Sequence, residues 1–313
     1  MSITGLRPFR PQLHFSAPSM WINDPNGLVY VNGTYHLFYQ YHPFSTVWGP
    51  MHWGHAVSSD LLHWSHRPIA LAPDELGTIF SGSAVYDKDN TSGFGALGCA
   101  PIVLIYTQNL AGPGGKTDRA QHQSIAYSLD GINFIKYEHN PVIPCPQGET
   151  NFRDPKVFRH DGKWFMVLAG GILRIYSSDD LIHWNIESTY KGSDDIGNPA
   201  GLRVETECPD MYPLTADDGT TKWVISEGGR YYRIGDLKKI DGHWTFVQDK
   251  DSDRYVMNFG PHSYAAMTYY IGNGETTNGK PENRRIMINW ASTWADGYCN
   301  NVDKVTGQWG YNG

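Results

Sequence analysis

The chain has 313 residues, with 25 Lys and Arg against 32 Asp and Glu, a net charge of −7 that argues against a nucleic-acid backbone as partner. Aromatics are 13% of it, with 34 Gly and 19 Pro, a turn-rich balance that suits an all-β fold of many hairpins. Mean hydropathy is −0.46, and no apolar run approaches the length of about 18 residues that a membrane-spanning helix needs.

Five units follow one another, each expected to be a few antiparallel strands. The first opens Trp21-Ile22-Asn23-Asp24-Pro25-Asn26-Gly27, turns at Asn32-Gly33, continues in a β-rich run over 35–39 and reaches Ser58-Ser59-Asp60-Leu61-Leu62-His63-Trp64. The second opens Phe80-Ser81-Gly82-Ser83, runs over 102–106 and reaches Ser128-Leu129-Asp130-Gly131-Ile132-Asn133-Phe134. The third opens Phe152-Arg153-Asp154-Pro155, turns at Asp161-Gly162, runs over 164–168 and reaches Ser178-Asp179-Asp180-Leu181-Ile182-His183-Trp184. The fourth opens Thr206-Glu207-Cys208-Pro209-Asp210, turns at Asp218-Gly219, runs over 223–226 and reaches Lys239-Ile240-Asp241-Gly242-His243-Trp244. The fifth opens Phe259-Gly260-Pro261-His262-Ser263 and ends in the run 285–290, with a surface loop expected over 271–280.

The recurring phrase pairs a tight Asp turn with an aromatic that opens the next strand. Its regular return predicts a five-bladed β-propeller over 1–313, one domain, in preference to a β-sandwich. In a propeller the first strand of each blade lines the central channel. Asp24, Asp154 and Glu207 then converge on the axis, and converging like charges raise one another's proton affinity. Carboxylate pairs beside aromatic platforms are the equipment of glycoside chemistry: one acid protonates the leaving oxygen, and one carboxylate attacks or stabilises the oxocarbenium-like carbon. Arg153 is expected to favour the ionised form of Asp154, and the nearby anions to help keep Glu207 protonated.

These motifs resemble glycoside hydrolase family 32, the invertase, inulinase and levanase group. The resemblance is carried by Trp21 to Gly27, Phe80 to Ser83, Arg153-Asp154-Pro155 and Glu207-Cys208-Pro209. Gln40 in Phe38-Tyr39-Gln40-Tyr41-His42-Pro43 and the stretch from Trp48 to His55 add to it. It implies a retaining, exo-acting β-fructofuranosidase that releases terminal fructose from sucrose or fructans. Asp24 would be the nucleophile, Glu207 the acid/base and Asp154 the stabiliser of the transition state. Asn23, Gln40, Trp48, Trp53, Phe80, Ser81, Arg153, Cys208 and Trp290 would shape the fructose pocket, with no cofactor. Rival readings are a fructosyltransferase on the same site, an inverting arabinanase-like propeller and a catalytically silent sugar-binding propeller. The family carries a C-terminal β-sandwich, and this chain stops at Trp309-Gly310-Tyr311-Asn312-Gly313. The sandwich is therefore expected to be absent or truncated, and the fifth blade open-edged.

Other features have plainer readings. Cys208 reads as a small buried hydrophobe that tunes Glu207. Cys99, Cys145, Cys208 and Cys299 read as reduced, buried thiols. His52 and His55 lack a third ligand motif, so no metal is expected. Asp87-Lys88-Asp89-Asn90 reads as a solvated turn. The expected partner is a sugar or fructan, with no nucleic acid and no membrane, and a homo-oligomer is left open. Met1 to Pro8 carry no apolar stretch, so a cytoplasmic location is expected, with a secreted form whose signal was trimmed as the alternative.

Overall fold

A computed structural model describes residues 11, 13–110, 120–190, 207–250, 254–258, 260, 262–271, 276–277, 280–281, 284–292 and 294. The β-branched and aromatic runs form antiparallel ladders. The first sheet takes β1 (Trp21–Val31), β2 (Thr34–His42), β3 (His52–Ser58) and β4 (Ser65–Leu71) in that order. The second takes β5 (Thr78–Tyr86), β6 (Ile102–Leu110), β7 (Ala120–Ser128) and the short β8 (Ile135–Lys136). The third takes β9 (Arg153–His160), β10 (Lys163–Ala169), β11 (Leu173–Ser178) and β12 (Asn185–Tyr190). The fourth takes β13 (Asp210–Thr215), β14 (Thr221–Glu227), β15 (Tyr231–Ile240) and β16 (His243–Gln248), with β17 (Tyr255–Val256) added against β15. β18 (Tyr264–Ile271) pairs later with β21 (Arg284–Trp290), the two strands of the fifth blade among the described residues. Between them β19 (Thr276–Thr277) and β20 (Lys280–Pro281) pair with each other where a loop was expected. In the opening of the fifth unit, Phe259 and Pro261 lie outside the described residues.

The first strands touch in a ring, β1 to β5, β5 to β9, β9 to β13, β13 to β18 and β18 back to β1. This is the expected five-bladed propeller. Its apolar core lies between blades. Val29, Phe38 and Trp53 pack on Ile79, Leu104 and Tyr106 between blades one and two. Val103 and Ile125 meet Val157 and Met166 between two and three. Phe165 and Ile175 meet Met211 and Ile225 between three and four, and Leu37 and Tyr39 meet Met267 and Tyr269 between one and five.

The recurring phrase occupies the same place in each of the first four blades, the turn from third to fourth strand. In blades one, two and three it is one structure. Asp60, Asp130 and Asp180 each accept two backbone N–H bonds, from Leu62 and His63, Ile132 and Asn133, and Ile182 and His183. The residue after each Asp takes a left-handed backbone: Leu61 at φ 65°, Gly131 at 68° and Leu181 at 66°. The fourth copy is instead a two-residue Asp-Gly hairpin in which Ile240 pairs with His243. The stretch Asp87-Lys88-Asp89-Asn90 is the expected turn except at its first residue. Asp87 alone departs from it: it is fully buried and accepts bonds from the N–H and hydroxyl of both Thr91 and Ser92, while Lys88, Asp89 and Asn90 form the exposed turn that was expected.

Candidate active site

Four of the five first strands break their ladders near the motif, whereas β13 pairs without a shift and its Glu207 motif stands just before it. Register shifts occur between Ile22 and Pro25 in β1, Ile79 and Gly82 in β5, Tyr264 and Met267 in β18, and opposite Val167 and Ala169 in β9. Pro25 and Pro155 have no N–H to give the ladder, and a bulge re-aims its side chain. Asp154 at φ 63° and Cys208 at φ 43° are both held in the left-handed region, a strain that persists only where the surroundings impose it. Gly27 is left-handed too, at φ 56°, and a Cβ there would sit 2.5 Å from Phe38 Cδ2. Only glycine fits.

The strand ends close around a cavity of about 280 Å³ lined by Asn23, Asp24, Gln40, Trp48, Phe80, Ser81, Gln121, Asn151, Arg153, Asp154, Glu207, Cys208, Tyr264 and Trp294. Asp24 accepts from Ser81 Oγ at 2.6 Å, Asn23 Nδ2 at 3.0 Å and Cys208 Sγ at 3.3 Å. Trp21 Nε1 donates to Asn23 Oδ1 at 2.7 Å and so orients the amide. Burial pushes the Asp24 carboxyl above the usual range, and the Glu207 charge adds to this. The Ser81 and Asn23 bonds pull the other way.

Asp154 Oδ2 accepts the Cys208 N–H at 2.9 Å, and its own N–H donates to Thr107 Oγ1 at 3.0 Å. Burial pushes Asp154 up to about 7 against the pull of Arg153. Arg153 favours the ionised form of Asp154, as expected, and desolvation outweighs it. The guanidinium is turned elsewhere. Its Nη2 donates to Glu207 Oε1 at 2.7 Å, while Nε lies 3.8 Å from Asp154. Asn151 Oδ1 holds the other arm at 2.8 Å. Tyr264 O–H donates to Glu207 Oε2, so Glu207 is gripped on both oxygens.

Residues 14–309 match the family model described as the glycosyl hydrolases family 32 N-terminal domain. The chain belongs to glycosyl hydrolase family 32. It is 47% identical over 306 residues to a fructan beta-fructosidase of Streptococcus mutans, covering 96% of this chain and 20% of that protein. It is 45% identical over 312 residues to a levanase of Bacillus subtilis, covering 94% of this chain and 42% of the relative. Among solved structures, the exo-inulinase of Aspergillus awamori superposes with a TM-score of 0.78 at 38% identity, over 95% of this chain and 62% of that one. The chain thus spans a fifth to about three fifths of these relatives.

Three expectations about this family 32 site need correction. Trp53 does not line the cavity: it is fully buried, and its Nε1 donates to the Phe80 carbonyl at 3.0 Å. Trp290 is also behind the wall, tilted on Trp21 at 6.3 Å, and Trp294 takes the place at the surface. Cys208 is buried as expected, but it touches the two aspartates rather than Glu207. Burial and the surrounding carboxylates push its thiol well up, which leaves it a weak donor and no nucleophile. Of the other cysteines, Cys99 is exposed and Cys145 half-buried, so the expectation of buried thiols fails for both; Cys299 lies outside the described residues. His55 Nε2 meets His36 Nδ1 at 3.1 Å and His52 Nδ1 meets the Pro50 carbonyl. Among the described residues no cluster of His, Cys, Asp and Glu could hold a metal ion.

Gln121, Asn151, Tyr264 and Trp294 line the cavity and were not among the expected residues. Asn151 lies two residues before Arg153 and Tyr264 directly follows the fifth opening, so both had a positional signal. Gln121 had none. It arrives from β7, a third strand, through bonds to Phe152 N–H and Asn109.

Proposed function

We propose that this chain carries the catalytic site of a retaining, exo-acting β-fructofuranosidase that releases terminal fructose from sucrose or fructans. The observation that carries the reading is the division of labour among three carboxylates in one cavity. Asp24 is fixed by Ser81 and Asn23, and Glu207 is gripped by Arg153 and Tyr264. Asp24 attacks the anomeric carbon while Glu207 gives its proton to the departing glycosidic oxygen. A fructosyl ester on Asp24 results. Glu207 then takes a proton from water, the water oxygen attacks the same carbon, and the ester bond to Asp24 breaks. Asp154, held by the Cys208 N–H, accepts hydrogen bonds from fructosyl hydroxyls as the transition state forms. The names of the relatives support the substrate class.

Glu207→Ala with azide tests this. The variant should not cut sucrose, but should accumulate the ester from a fructoside with a good leaving group. Azide needs no general base, so it should restore turnover and give a fructosyl azide of retained configuration. No rescue, or an inverted product, would overturn the assignment.

A further inference from the structure

The central channel is divided. A second cavity of about 390 Å³ shares no lining residue with the catalytic one. Its walls include Leu28, Ala84, Val157 and Thr268, three or four residues beyond Asp24, Ser81, Asp154 and Tyr264 on the same strands. At about 3.3 Å per residue it lies roughly 10–13 Å further along the axis.

Lys156, in the wall of this second cavity, pairs with Asp210. Both are buried, at 5% and 1% exposure. Lys156 Nζ lies 3.1 Å from Asp210 Oδ2 and donates to the Thr268 carbonyl at 2.8 Å. Asp210 Oδ2 also accepts from the Thr268 N–H at 2.7 Å and Oγ1 at 2.8 Å. Arg285 Nη1 reaches Thr268 Oγ1 at 3.5 Å. One ion pair therefore joins the first strands of blades three, four and five, upstream of which stand Asp154, Glu207 and Tyr264.

Four blade interfaces are held by apolar clusters, and apolar residues often hold strands as well as a buried ion pair does. What a charge pair adds is a fixed direction of contact. The two left-handed residues of the site, Asp154 and Cys208, are each followed two positions later by one member of this pair. We infer that Lys156 and Asp210, closed on Thr268, are positioning residues: they hold the strained backbones of Asp154 and Cys208 and so set the separation of the Asp154 and Glu207 carboxyl groups. The kinetic consequence rests on the proposed fructosidase reading; the geometric one does not.

Lys156→Met and Asp210→Leu are compared singly and combined. Each single variant leaves one buried charge unpaired and should melt well below wild type, whereas the double variant should recover most of the loss. In the double variant kcat on sucrose should fall at least about tenfold while KM moves less than about threefold, because misplacement acts on the transition state. Its crystal structure should show a changed Asp154–Glu207 separation. Wild-type kcat in the folded double variant, or an unchanged separation, overturns the inference. Should that pair of substitutions not fold, Lys156→Met with Asp210→Asn, which keeps an acceptor for the Thr268 N–H, takes the same two measurements. If the wild type releases no fructose from sucrose, inulin or levan, the function proposal fails, and the crystallographic separation still decides this one.

Discussion

On the outer turns of blades one to three, Asp60, Asp130 and Asp180 each bind two backbone N–H groups and a neighbouring side chain. At the axis, Asp24 and Asp154 are buried beside each other and beside Glu207. The backbone N–H bonds of His63 and Asn133 hold Asp60 and Asp130 well below the usual carboxylate range. Desolvation works against Asp180, and the His183 side chain and N–H still bring it down. Burial drives Asp24 and Asp154 the other way. The outer aspartates stabilise turns and the inner ones oppose folding, which marks the axis as the place where the molecule accepts cost for function.

Asp24→Asn should separate the two groups most sharply. Activity on sucrose should fall by about 10⁴-fold or more, with no loss of melting temperature, since a group disfavoured by burial has been made neutral. A collapse of stability together with activity would place Asp24 among the structural aspartates.

Asp154→Asn should lower kcat by about 10²–10³-fold through lost transition-state stabilisation. It also has a pH signature. Burial pushes the folded carboxyl up to about 7 from its ordinary value of 3.8, so the folded state holds this proton more tightly. The stability it confers is complete below 3.8 and is lost as pH rises to about 7. The melting temperature of the variant relative to wild type should therefore climb between pH 4 and 7 and then level off. A flat difference would mean that Asp154 is not desolvated.

Asp180→Ala should show the opposite sign. Its folded value lies below 3.8, so its contribution is present above that pH and fades as pH falls through the folded value. Near neutrality the variant should melt a few degrees lower, about 2–4 °C for a lost turn worth ~1 kcal/mol, with sucrose turnover within twofold of wild type. A fall in turnover would tie the outer turns to the site.

Gly131→Ala is the mildest test. The position is left-handed, and an added Cβ would lie 3.0 Å from His36 Cε1. Leu61 and Leu181 adopt the same backbone, so the fold tolerates a side chain there at a cost of about 1 kcal/mol. A melting shift of roughly 2–4 °C downward is expected, and no shift would show that the turn relaxes around its new side chain.

The sequence by itself determined the propeller and the three carboxylates. Local chemistry writes both: an Asp turn closes the third strand of four blades, and Asp24 and Asp154 stand beside prolines that interrupt their strands, while Glu207 stands two residues before Pro209. What only the tertiary structure decided is which groups meet across blades. Arg153 is adjacent to Asp154 in the chain, yet its guanidinium reaches Glu207, because the bulge at Asp154 turns neighbouring side chains apart. Trp53 and Trp290 read as pocket aromatics and proved to be walls behind it, since a strand's alternation does not say which face meets the channel once the ladder is broken. Gln121 and the Lys156–Asp210 pair carry no local signal at all. Their partners lie on other strands, Phe152 at 31 residues from Gln121 and Asp210 at 54 from Lys156, and are close only after the ring has closed.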